Sequence, residues 1–140
     1  MLTTDERAAR PGGRDHVHPN MQIAYERAGV PSAYEVDGWV FLTGVVAARG
    51  EDEGGDLKPG FERTFRQLGE VLAMAGCSWA NVVKMTSFHI DIARELPVMA
   101  EVRLRYVAPP YHAWSVIGAA SLANPAGFCE IEVTARKPAA

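Results

Sequence analysis

The run Phe128-Cys129-Glu130-Ile131-Glu132-Val133-Thr134-Ala135-Arg136 constrains this chain more than any other. Successive side chains of a strand point to opposite faces of its sheet. Cys129, Ile131, Val133 and Ala135 therefore share one face, wholly apolar or sulfur-bearing, and Phe128, Glu130, Glu132 and Thr134 share the other. The first face demands a covering layer. The second sets two carboxylates on a sheet, where they need solvent, partners or a role.

Two helical patterns supply the covering layer. Phe61, Phe65, Leu68 and Leu72 recur at spacings of 4, 3 and 4, one face of a 3.6-residue period. Asp56 or Pro59 can open this helix and Gly76 can close it. A second helix is expected from near Glu95, with Pro97 in its first turn and Leu96, Met99, Val102 and Tyr106 as its stripe; Pro109-Pro110 stops it. Ala33–Val36 and Trp39–Thr43 are strand-prone, and Asp37-Gly38 between them is a two-residue hairpin signal. Val82–Ile90 reads as a further strand, as does the run through Ala113–Gly118, which Asn124-Pro125-Ala126-Gly127 separates from the last one. Arg49–Gly60 is charged and glycine-rich, hence a loop, and Met21–Ala24 is expected to form a short edge strand. Residues 1–20 show no apolar period and read as a flexible N-terminal arm or a loosely attached edge; residues 21–140 form a single domain.

Strands, helix, strand, helix, strands is the order of an α+β sandwich, one mixed sheet with two helices on one face. The uncovered face would carry Trp39 and Phe41, an aggregation hazard in a monomer. A second copy of the chain is the natural cover, so an oligomer is expected.

Charge and cysteine content narrow the partners. A net charge of −3 gives no electrostatic footprint for nucleic acid. No run approaches the ~20 apolar residues of a membrane span, and the first residues lack the apolar core of a secretory signal. The two cysteines, Cys77 and Cys129, make no disulfide framework. The expected setting is the cytoplasm, with neither membrane nor nucleic acid as partner.

The candidate chemistry lies in the last two strands, where Trp114 and Glu130 are the unusual side chains. A carboxylate partly buried beside an indole would have its pKa raised by desolvation and could serve as acid and base toward water. Its structural alternative is a backbone cap or an ion pair across an interface. Trp114 is either a stacking platform or a core or interface residue. Tyr111 and His112 stand at the same rim, though His112 follows two prolines and also fits a solvated loop. His89 shares a strand face with Met85 and Ser87 and fits a satisfied interior histidine. His16 and His18 lack a third metal ligand. Cys129 is packing.

Five segments in order resemble the YjgF/RidA superfamily: Gly38-Trp39-Val40-Phe41-Leu42-Thr43-Gly44, Phe65-Arg66-Gln67-Leu68 with Ala75-Gly76-Cys77, Val82 to Phe88, and Cys129 to Ala135. Ala108-Pro109-Pro110-Tyr111, Trp114-Ser115 and Thr86-Ser87-Phe88-His89 are similar to its YjgH-like branch. The resemblance implies a chorismate-mutase-like fold and a homotrimer with a central β-barrel, with small-molecule clefts at the subunit junctions. It also implies hydrolysis of reactive enamines or imines to a carbonyl compound and ammonia. No cofactor or metal is required. Position by position, it places the water-handling glutamate at Glu130 and the Ser/Thr-Gly pair at Thr43-Gly44. The family's tyrosine falls on Val30, and its substrate-anchoring arginine on Trp114. Val116, Tyr111 and His112 complete the expected substrate-binding set.

An Arg–carboxylate pair is worth about 1.5–3 kcal/mol, and an indole offers only one N–H donor. A simple imino acid is therefore not the expected substrate; a planar neutral or cationic ligand stacked on Trp114 is. The alternative is a non-catalytic metabolite-binding or regulatory module. A ribonuclease role, attached to some relatives, is disfavoured by the acidic balance and by the absence of a histidine pair in a basic cleft.

Overall fold

The computed structural model describes residues 1–9 and 11–139. Its helices are α1 (Thr4–Ala8), α2 (Gln22–Ala28), α3 (Lys58–Met74) and α4 (Ile92–Arg103). Its strands are β1 (Arg14–His16), β2 (Ala33–Val36), β3 (Trp39–Leu42), β4 (Val45–Ala48), β5 (Val82–His89), β6 (Ala113–Gly118) and β7 (Gly127–Arg136). They form one seven-stranded sheet in the order β1-β2-β3-β7-β5-β6, with β4 also paired to β7. Only β5 and β6 run parallel; α4 is the crossover such a pair needs. The mixed α+β sheet with its two long helices on one face is as the sequence implies.

The hydrophobic alternation drives this layering. Cys129, Ile131, Val133 and Ala135 are all at most 2% exposed, and they meet Phe61, Phe65, Leu68 and Leu72 of α3 and Met99 and Val102 of α4. At about 25 cal/mol per Å² of apolar surface, a fully buried Phe or Leu contributes about 1.5–3 kcal/mol. Asp37 and Gly38 both take positive φ, 53° and 79°, the two left-handed residues of a type I′ hairpin turn. On the uncovered face Trp39, Phe41 and Ile117 remain 39%, 46% and 44% exposed.

Four local expectations are corrected. Gln22–Ala28 is a helix closed by Gly29 at φ 66°, where an edge strand was expected over Met21–Ala24; only a residue tolerant of the left-handed region ends a helix in this way. The second half of the N-terminal segment takes the edge reading its sequence left open: β1 pairs with β2 at the margin of the sheet, and His16 and His18 are buried against Glu35 at 2.8 Å and Glu70 at 2.6 Å. Strand β4 lies where no strand was expected, because Val45–Ala48 lacks alternation. Helix α4 starts at Ile92, capped by the Asp91 side chain on the Arg94 N–H. Pro97 is thus interior to it and withholds one backbone hydrogen bond. Phe128 also departs from the alternation: it is buried, edge-on to Phe61 at 5.1 Å, where a register shift between Ala47 and Ala48 bends the β4–β7 pair.

Candidate functional site

The long strand β7 carries two neighbours along one edge. Phe41 of β3 pairs with Thr134, and Val45 of β4 pairs with Ile131. Thr43 and Gly44 form the joint where the partner changes. Thr43 Oγ1 donates to the Pro31 carbonyl at 2.6 Å, and its N–H donates to the Ser32 carbonyl at 2.9 Å. The Val30 N–H donates in turn to the Ala24 carbonyl at the end of α2. Thr43 is therefore tied to the Pro31–Ser32 segment that follows Val30, and Glu130 lies against Gly44. A Cβ added at Gly44 would stand 2.8 Å from Glu130 Oε2 and 2.9 Å from its Cδ and Cγ. The carboxylate occupies the space that glycine leaves open. Glu130 is half-buried on the uncovered face, opposite Val46 and Phe88.

Trp114 lies elsewhere. It pairs with Met85, and its Nε1 donates to Ser87 Oγ at 2.9 Å; Met85 and Ser87 are both fully buried beneath the helices. Trp114 is thus on the covered face and Glu130 on the open one. Two strand spacings and three residues of rise separate them, about 14 Å between Cα atoms. The expected pairing of Glu130 with Trp114 does not exist within one chain. Val116 pairs with fully buried Ser87 on the covered side, away from Glu130 as well.

The indole does not offer an empty face to a cation. The Arg103 guanidinium sits 4.8 Å from the Trp114 ring centroid and 5.7 Å from that of Tyr111. Tyr111 is exposed and His112 half-buried, with His112 Nε2 3.5 Å from Arg103 Nη2. His112 Nδ1 lies 3.1 Å from the Ala113 carbonyl, which makes Nδ1 the protonated nitrogen and leaves Nε2 as the acceptor. Burial foremost, with Arg103 nearby, pushes the His112 pKa down, in keeping with this neutral tautomer. Arg103 and Arg105 are the arginines the sequence offers as a carboxylate anchor from a neighbouring subunit; that Arg103 is buried over Trp114 of its own chain is what no sequence signal gave.

Behind Trp114 runs a buried polar chain. Ser87 Oγ lies 2.8 Å from His89 Nε2, and His89 Nδ1 lies 3.0 Å from Glu95 Oε1, whose other oxygen accepts the Asp91 N–H. Burial raises the Glu95 carboxyl to about 7 and lowers the His89 pKa. Both partners favour their neutral forms. A protonated Glu95 donates to Nδ1, Nε2–H donates to Ser87, and Trp114 donates to the same hydroxyl. Ser87 thus receives two N–H groups and is no activated nucleophile. With Cys129 Sγ, His89 and Glu95 form a set of ligand atoms within 4.8 Å of one another. Burial holds the Cys129 thiol protonated, a poor donor for a metal. His89 is the satisfied interior histidine the sequence implies.

Comparison with known proteins follows this geometry. A family profile described as Endoribonuclease L-PSP matches residues 22–137. RutC family protein YjgH of Escherichia coli (strain K12) is 35% identical over 105 residues, covering 71% of this chain and 76% of that one. A solved structure of protein YJGH superposes with a TM-score of 0.76 at 28% identity, over 91% of this chain and 98% of that one. Rv2704 of Mycobacterium tuberculosis, a member of the YjgF/YER057c/UK114 family, gives 0.75 at 20% identity, over 89% and 98%. No helix among the described residues is long and apolar enough to cross a membrane. Matched across most of its length, the chain belongs to the YjgF/RidA superfamily and carries its chorismate-mutase-like fold.

Proposed function

We infer that this protein hydrolyses the C=N bond of an enamine- or imine-type metabolite, in clefts between the subunits of a homotrimer, with Glu130 handling the water. The observation that carries this reading is the fit of the Glu130 carboxylate against Gly44, where a Cβ would stand 2.8 Å from Oε2. A carboxylate held by backbone shape on an uncovered face is positioned for a ligand rather than for packing. An enamine first takes a proton on carbon, loses one from nitrogen and becomes the imine. Water then adds to the C=N carbon while Glu130 accepts its proton. That proton passes to nitrogen to give a carbinolamine, the hydroxyl proton follows by way of Glu130 as the C–N bond breaks, and a carbonyl compound and ammonia leave. Backbone groups at Thr43-Gly44 polarise the reacting centre.

The clefts belong to the assembly because Glu130 and Trp114 face opposite sides of one sheet. The Trp114 side of one copy must meet the Glu130 side of the next to share a ligand. The exposed Trp39, Phe41 and Ile117 support the same closure. Substituting Glu130→Gln removes the proton acceptor and keeps the shape. Ammonia release from freshly generated imines should fall about 100-fold or more while ligand affinity is kept. Undiminished release would end the role of Glu130.

A binding module without turnover is the second reading, favoured by Trp114 standing where the resemblance places the arginine. Retained ligand binding with no Glu130-dependent ammonia release across the imine panel identifies it. RNA cleavage is the weaker fit. A cleft of about 590 Å³ beside α3 gathers Arg49, Arg63 and Arg66, but Arg63 is neutralised by Glu53 and His18, also on its wall, is engaged by Glu70.

A further inference from the structure

We propose that Arg103 is an anion-binding residue, the anchor for the carboxylate of a small aromatic or otherwise planar ligand, replacing from helix α4 what strand β6 lacks. The proposal rests on the reading that this protein binds a small metabolite at its subunit junctions. Arg103 is only 8% exposed, yet no carboxylate among the described residues forms an ion pair with it, whereas Arg63 and Arg105 both have glutamate partners. Its Nε is buried without any hydrogen-bond partner. Among the described residues, the only polar contact of its guanidinium is the long 3.5 Å approach of Nη2 to His112 Nε2. A guanidinium carries five N–H donors in a fixed fork, and here the buried Nε–H has no acceptor and Nη2 has only a distant one. A buried cation left so incompletely paired is matched by what it binds.

The surroundings specify the ligand. Trp114 and Tyr111 hold the guanidinium over their rings at 4.8 and 5.7 Å, orienting the fork and adding apolar surface for a flat ligand body. The Trp114 ring is itself pinned through Nε1 to Ser87, which His89 and Glu95 fix from behind. His112 also lines an adjoining cleft of about 410 Å³, bounded by Trp79, Tyr106 and Pro110. An incoming carboxylate takes over the donor that His112 meets only at long range. The expected ligand is therefore an anion, not the cation that an open indole face would attract. Burial also lowers the Arg103 pKa, a penalty that an anion relieves.

Phenylacetate and its uncharged counterpart phenylacetamide are the probes, titrated into the full-length protein in its native assembly. The readout is the NMR signal of Arg103 Nε–H and Trp114 Nε1–H, which needs no substitution. Phenylacetate should bind about tenfold or more tightly than the amide and shift both resonances. Arg103→Gln should bring the two ligands to parity, Arg103→Lys should keep part of the preference, and Glu130→Gln should keep all of it. Loss of turnover in Glu130→Gln with an intact preference separates this site from the hydrolytic role. Equal binding of both probes by the unaltered protein overturns the proposal, as does a preference that survives Arg103→Gln. Equal binding together with dissociation of the Arg103→Gln assembly would overturn it too, by assigning the cation to a carboxylate of a neighbouring copy.

Discussion

Substituting Gly44→Ala tests whether the Glu130 carboxylate works from where it stands. The new Cβ would sit 2.8 Å from Oε2, and ordinary contact begins near 3.4 Å, so the carboxylate must retreat by at least 0.6 Å. The three atoms encountered are all the far end of one flexible side chain, so the clash is relieved by a rotation rather than by moving backbone. Gly44 is not among the glycines with positive φ, so alanine introduces no backbone strain. Reduced freedom of the unfolded chain returns about 0.4–1 kcal/mol. Stability should therefore change by less than about 1 kcal/mol. Catalysis should not be so tolerant, since an ångström of misplacement can cost about 100-fold. We expect an unchanged melting temperature with ammonia release down by about 10- to 100-fold, read by thermal unfolding and a coupled ammonia assay. Full activity in Gly44→Ala would refute the reasoning, because a carboxylate that works equally well after being displaced is not positioned by the glycine. A large loss of stability would refute it differently, by showing that the space around residue 44 is closed by backbone.

Two further outcomes follow from burial. Glu95 is pushed up to about 7, chiefly by desolvation, so its protonated form is favoured by the fold. That contribution is complete below the ordinary value of about 4.5 and erodes as pH rises to about 7, reaching about 3 kcal/mol at most. Glu95→Gln, which keeps an acceptor for the Asp91 N–H and a donor for His89, should therefore gain about 1–3 kcal/mol over the parent protein at pH 8 and nothing at pH 4. Denaturant midpoints of equal pH slope would rule this out. The second concerns the open face. Phe41→Glu places a charge amid the exposed Trp39 and Phe41 surface and should shift the mass measured by light scattering toward that of one chain; a parent protein already at that mass would remove the inter-subunit cleft altogether.

What the sequence made legible, and what it hid, divides along a physical line. Period and turn chemistry act locally, so β7, α3 and the Asp37-Gly38 hairpin could be read directly. Strand β4 was invisible because Val45-Val46-Ala47-Ala48 is a short apolar run with no alternation to announce it. Helix α4 was found with its start misplaced: its buried face is Glu95, Met99, Val102 and Arg103, a helical spacing in which two members are charged. A stripe sought in apolar residues alone slides to Leu96 and carries Pro97 into the first turn. The same two residues are the ones the site depends on. Glu95 steadies His89 behind Trp114, and Arg103 covers the indole in front. The pairing of Trp114 with Glu130 failed for a related reason. Side-chain parity tells which residues of one strand share a face, but not how the parity of β6 relates to that of β7. That relation is set by β5 between them, through the Met85 pairs with Trp114 and Val133. Once β5 is in place, Trp114 joins Val133 on the covered side and Glu130 is left on the other. On the proposed function, with Glu130 as the acid and Arg103 as the anchor, the two groups lie on opposite faces and would meet only across copies, so that assembly would be a condition of the chemistry rather than an addition to it.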